Sequence, residues 1–108
     1  MSQAYKVRWA LSAETDLREI ILYIANHSAD NARTTLAKIK TQAASLTKFP
    51  NKGRIVPELA EHGVSLYHEL IIERWRLIYR VAETEVLVLV VIDSKRNVED
   101  ILLRRLLR

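Results

Sequence analysis

The sequence predicts an α+β domain in the order β-α-α-β-β-β-α, an antiparallel sheet with an αα-hairpin on one face and a C-terminal helix. Three observations predict it. Residues 66–93 hold three runs rich in β-branched, aromatic and aliphatic residues, split by the short polar breaks Glu73-Arg74 and Ala82-Glu83-Thr84-Glu85, which is the pattern of a β-meander. Upstream, two stripes of apolar residues at helical spacing are separated by a link of a few residues. Downstream, a leucine-rich segment starts acidic and ends basic.

The first element is a short strand, because Tyr5, Val7 and Trp9 alternate with Lys6 and Arg8. A helix follows. Ser12 stands where an N-cap belongs, Glu14 and Asp16 fall in the first turn, and Ala13, Leu17, Ile20, Ile21 and Ile24 make one stripe. It fades at Asn26-His27-Ser28. A second helix, capped by Ser28 or Asp30, carries the stripe Ala32, Leu36, Ile39, Ala43 and Leu46 and stops at Phe49-Pro50. Residues 51–63 read as a connector, with a turn at Asn51-Lys52-Gly53-Arg54 and an extended course after Pro57.

In the meander, Trp75, Leu77, Tyr79 and Val81 point one way and Arg76, Ile78 and Arg80 the other. The first face carries a core, and the second is expected to be wet. Residues 86–92 are apolar without interruption, so this strand is expected to be inner and covered on both faces, with Leu89 in the core. Asn97 can cap the last helix, with Glu99 and Asp100 in its first turn and Arg104, Arg105 and Arg108 at its end. Its apolar residues, Val98, Ile101, Leu102, Leu103, Leu106 and Leu107, exceed one stripe, which implies partners on two sides, the second open to another chain.

The 108 residues form one domain, 1–108. The absence of cysteine excludes disulfides and thiolate metal sites, and His27, His62 and His68 are too irregularly spaced for a zinc signature. No apolar run approaches the ~20 residues of a membrane span and no signal peptide is read, so the expectation is a cytoplasmic protein without cofactor or metal. The formal net charge of +4 permits contact with nucleic acid or an acidic protein without demanding either.

Several strings, taken in order, carry a family resemblance. They are Ala13-x-x-Asp16-Leu17-x-x-Ile20-x-x-Tyr23-Ile24, then Phe49-Pro50 with Gly53-Arg54 and Val56-Pro57-Glu58-Leu59, then Glu69-Leu70-Ile71. After these come Arg76-x-Ile78-Tyr79-Arg80-Val81, and Val90-x-Ile92-Asp93 running into Lys95-Arg96. Together they resemble the RelE/ParE superfamily of toxins from type II toxin–antitoxin modules, many of which are called plasmid stabilisation proteins. The resemblance spans nearly the whole chain and implies the toxin of such a module, neutralised by a cognate antitoxin.

The superfamily divides by target. RelE-like members cleave messenger RNA on the ribosome without a metal, using lysines and arginines with a tyrosine or histidine near the C-terminus. ParE-like members lack that set and inhibit DNA gyrase. Arg76 and Arg96 match family arginines here, but the strand that carries lysines in RelE offers Tyr67, His68 and Glu69, and no tyrosine or histidine follows Arg96. Phosphodiester cleavage needs a base, an acid and cations for the developing charge. This chain supplies cations and no evident acid–base pair, which favours the ParE-like reading and leaves its being an enzyme open. A RelE-like endoribonuclease with Arg76, Arg96 and His68 in its site, or a degenerate, non-toxic member, remain the alternatives. His68 stands where many ParE-like chains have arginine, and Asp93 where the superfamily often has histidine or another polar residue.

The candidates for contact with antitoxin or target are Arg54, Arg76, Arg80, Lys95, Arg96, Leu102 and Leu106. The bland alternative for Arg76 and Arg80 is a solvated strand face, and for Arg54 an ion pair with Glu58 that braces the connector. Tyr79 reads as core. Partners implied are the antitoxin and gyrase, or ribosome and messenger RNA in the alternative, with a homodimer or toxin–antitoxin hetero-oligomer both open.

Overall fold

A computed structural model describes residues 4–107. The chain runs β1 (Lys6–Trp9), α1 (Leu11–Ala25), α2 (Ala29–Ala44), a 3-10 turn (Ser45–Thr47), β2 (Arg54–Ile55), α3 (Pro57–Ala60), β3 (His68–Ile72), β4 (Trp75–Ala82), β5 (Glu85–Asp93) and α4 (Val98–Leu106). The expected elements all form, and the connector adds two. Pro57 opens the helical turn α3 at a position where its missing N–H costs nothing, so the course after it is helical and not extended. Ser28 caps α2, its side chain accepting from the Asn31 N–H, but Ser12 lies inside α1, whose cap residue is Ala10. The Arg108 part of the basic helix end lies outside the described residues.

One sheet contains all five strands in the order β1-β5-β4-β3-β2. The β2-β3-β4-β5 pairings are antiparallel, as a meander requires, while β1 runs parallel to β5 with Lys6 opposite Glu85 and Trp9 opposite Val88. The sheet is therefore mixed, against the expectation of a wholly antiparallel one. β5 is an inner strand along its first half.

Both faces of the sheet are covered. The α1–α2 hairpin buries Ala13, Leu17, Ile39, Ala43 and Leu46 against Leu70, Leu77, Tyr79, Val86 and Val88. On the other face, α3 and α4 bury Leu59, Val98 and Leu102 against Ile78, Val90 and Ile92. The face bearing Arg76, Ile78 and Arg80 is thus a second core and not the wet surface its alternation suggested, because α4 spends its surplus of leucines there. A β-bulge sets the division within β5. Ile78 pairs with Val90 but Tyr79 with Val88, so Leu89 is the extra residue. Val88 and Val91 consequently face the hairpin, Val90 and Ile92 face α4, and Leu89 is only half-buried beside the second core.

Candidate functional site

β1 ends opposite Val88, so β5 continues past it with an open edge. Side chains take the place of the missing strand. Asp16, on the second turn of α1, accepts the Val91 N–H at 3.0 Å. Arg105, in the last turn of α4, donates to the Leu89 carbonyl at 3.1 Å and binds both oxygens of Asp16 at 3.1 Å. Two adjoining grooves, of about 550 and 390 Å³, flank this closure between α1 and α4. Arg96, Asp16, Val91 and Ile92 line both, with Arg104 and Arg105 at one end and Tyr23 and Arg74 at the other. Arg96 is exposed and forms no ion pair among the described residues. The Arg104 side chain donates to the Asp100 carbonyl at 3.5 Å and forms no ion pair among the described residues. Lys95 is exposed in the turn before α4, its backbone N–H held by Asp93.

On the sheet face under α3, Arg76 is 6% exposed and held by two carboxylates. Its Nε donates to Glu69 at 2.7 Å, and its two terminal nitrogens hold Glu58 at 2.8 and 2.7 Å. Arg54 donates to the other oxygen of Glu69 at 2.7 Å. Its partner is therefore Glu69, not the expected Glu58, and through it Arg54 ties β2 to β3. Hydrogen bonding from Arg76 holds the Glu58 carboxyl below the usual carboxylate range, and bonding to Glu58 raises Arg76 in return. Glu69 is 1% exposed, so this pair of arginines is what makes its burial tolerable.

His68 lies elsewhere. In strand alternation it faces the hairpin side with Leu70, while Glu69 faces α3 with Arg76. Its ring tilts against Tyr79 at 6.0 Å, and its Nδ1 is buried without a partner among the described residues. Tyr79 is core, as expected, and also a clamp. Its hydroxyl donates to the Pro50 carbonyl at 2.9 Å and accepts the Gly53 N–H at 3.0 Å, and burial pushes its pKa up. Arg80 is half-buried, with its Nε enclosed and without a partner among the described residues. Leu102 is fully buried and Leu106 half-buried in the second core.

The structure thus separates the sequence candidates into three places. Arg54 and Arg76 sit in a closed ion-pair network, His68 is across the sheet from them, and Arg96 borders the open edge of β5, next in sequence to the exposed Lys95. Sequence reasoning missed Asp16, Arg105, Glu58 and Glu69 as the organising charges. Glu69 left a signal, since a carboxylate in an apolar strand requires a cationic partner. Asp16 and Arg105 left none, because side-chain closure of a sheet edge depends on where β1 stops. Among the described residues no group of three metal-ligating side chains comes together, and no helix is long and apolar enough to cross a membrane.

The small mixed sheet sandwiched between an αα-hairpin and a terminal helix is shared with two solved chains from toxin–antitoxin systems. A chain of the chromosomal ParDE toxin–antitoxin system from P. aeruginosa superposes with a TM-score of 0.70 at 22% identity, covering 85% of this chain and 98% of that one. A chain of the RelBE2 toxin–antitoxin complex from Mycobacterium tuberculosis superposes with a TM-score of 0.52 at 21% identity, covering 83% and 98%. No curated protein sequence matches. The family model described as the ParE toxin of type II toxin-antitoxin system, parDE, matches residues 7–98, and the chain belongs to that family.

Proposed function

We propose that this ParE-family toxin acts on DNA gyrase and is neutralised by a cognate antitoxin, and that it is not a ribonuclease. The observation that carries the reading is the engagement of Arg76. A guanidinium that is 6% exposed and gives three of its five N–H groups to two carboxylates is shielded from a phosphate, and its neighbourhood is close to charge-neutral. His68 cannot serve as acid or base beside it, because the sheet lies between them. Lys95, Arg96 and Arg104 are exposed, form no ion pair among the described residues and lie in α4 or the turn before it, where an acidic antitoxin segment would meet them. Leu106 lies half-buried on the same helix, while Leu102 contributes by anchoring α4.

The deciding experiment expresses the chain without its antitoxin, maps transcript ends during translation and follows the topology of a reporter plasmid. Loss of negative supercoiling with intact messages is expected. Codon-positioned cleavage with normal supercoiling would overturn the gyrase reading and promote the endoribonuclease. Growth inhibition should be unchanged in His68→Ala, whereas a ribonuclease using His68 would lose roughly 10²–10⁴-fold in rate.

A further inference from the structure

The outer face of α1 is unlike an ordinary solvated helix surface. Leu11 is 77% exposed and Leu22 59% exposed, and they lie on one stripe with Glu14, Thr15 and Arg18, directly opposite the buried stripe of Ala13, Leu17, Ile20 and Ile24. Glu14 and Arg18 are exposed and form no ion pair among the described residues. Beside Leu22, a shallow groove of about 310 Å³ opens between α1 and α2, lined by Leu17, Ile21, Leu22 and Leu36 with Glu14, Arg18 and Lys40 at its rim.

We infer that this face binds a second copy of the same chain, α1 against α1 in antiparallel orientation about a two-fold axis. The pattern is self-complementary, which is what such an axis demands. An axis placed midway between residues 11 and 22 sets Leu11 of each copy against Leu22 of the other, beside the groove that can receive it. The same placement brings Glu14 to within about 1.5 Å, along the helix axis, of level with the other copy's Arg18, and does so twice. Apolar ends thus flank two reciprocal Glu–Arg pairs. Glu14 and Arg18 stand at i,i+4 spacing but form no ion pair among the described residues, and the copy offers each an opposite charge. The contact is one helix wide, so it belongs with the small interfaces of weak, concentration-dependent dimers. It lies on the far side of the hairpin from α4, so a dimer leaves α4 and the β5 edge uncovered.

Sedimentation velocity of the purified full chain over a range of concentrations tests this. A monomer–dimer equilibrium is expected. Leu11→Ser and Leu22→Ser should each weaken the dimer more than tenfold, since each removes two buried leucines per dimer. Glu14→Arg or Arg18→Glu alone should weaken it roughly tenfold by breaking both pairs and opposing like charges. The double reversal Glu14→Arg/Arg18→Glu should restore most of the affinity, because each copy then carries the opposite pattern. All these positions are exposed, and circular dichroism will report whether each variant keeps its fold. A chain that stays monomeric at the highest concentration overturns the inference. So does a dimer indifferent to the leucine changes, or a double reversal no better than the single ones.

Discussion

Asp16 and Arg105 stand 89 residues apart in sequence and together replace a missing β-strand. The carboxylate accepts the Val91 N–H, the guanidinium donates to the Leu89 carbonyl, and the two groups bind each other bidentately. An edge strand otherwise leaves its backbone groups free to pair with any passing chain. The pair also fastens α4 to α1 over the open end of β5. Neither side chain is more than 29% exposed, so solvent screens their attraction only in part.

Removing either partner should therefore cost more than a surface ion pair does. Asp16→Ala leaves the Val91 N–H without an acceptor and Arg105 without its counter-charge, and should destabilise by about 1–3 kcal/mol. Urea unfolding of both single variants and the double variant gives the coupling, expected at roughly 1–2 kcal/mol. Amide exchange supplies a local reading, since Val91, whose N–H donates to Asp16, should lose protection in Asp16→Ala, whereas Ala10, whose N–H donates to the Val88 carbonyl, should keep it.

Arg76→Ala should be among the most destabilising single changes in the chain. It leaves Glu69, 1% exposed, with Arg54 alone and frees Glu58 from its fork. Breaking a buried pair from one side costs about 3–5 kcal/mol. A replacement of both charges, Arg76→Met with Glu69→Leu, should recover much of the loss, because the apolar pair needs no compensation. Thermal and denaturant melts of the two variants compare the outcomes.

Acid should loosen the same network. Glu58 titrates in the folded chain below its ordinary value near 4.5, chiefly through hydrogen bonding from Arg76. A depressed folded pKa means the stabilisation is fully present above the unfolded value and is lost as pH falls through the folded one. Stability should accordingly decline below about pH 4.5. Asp93, lowered by its bond from Arg74, adds to the slope in the same direction. Denaturant midpoints measured from pH 7 downward should show a shallower decline in Glu58→Gln.

Tyr79→Phe should cost about 1–3 kcal/mol, because it strands the Gly53 N–H and the Pro50 carbonyl that the hydroxyl now joins. Gly53→Ala should be at least as harmful. A Cβ there would lie 2.6 Å from the Glu69 carbonyl oxygen and 2.6 Å from the Tyr79 hydroxyl, closer than a real Cβ approaches. The comparison of the two melts separates loss of the clamp from a clash with it.

In β5, Val88→Asp should unfold the domain while Leu89→Asp should be tolerated better. Val88 is fully buried under the hairpin, whereas Leu89 is the bulged residue and keeps part of its surface in water. Equal thermal midpoints for the two variants would contradict the register of the bulge.

The sequence alone determined the main elements and the sides they turn to the hairpin core. Periodicity of 3.6 marked the stripes of α1 and α2, and periodicity of two put Trp75, Leu77 and Tyr79 on one face of β4, because both patterns are local and follow from backbone geometry. The unbroken run of β5 announced a strand covered twice. Only the tertiary structure decided what the charges do. Arg76 in its strand reads as a wet arginine until α3 brings Glu58 over it and β3 brings Glu69 beside it. His68 and Arg76 read as neighbours until the pleat sends them to opposite faces. Asp16 and Arg105 each read as a helix-end charge complementing its own dipole until the early end of β1 leaves an edge for both to close. Charge pairing acts across space between groups distant in sequence, so its partners are fixed only when the chain has folded.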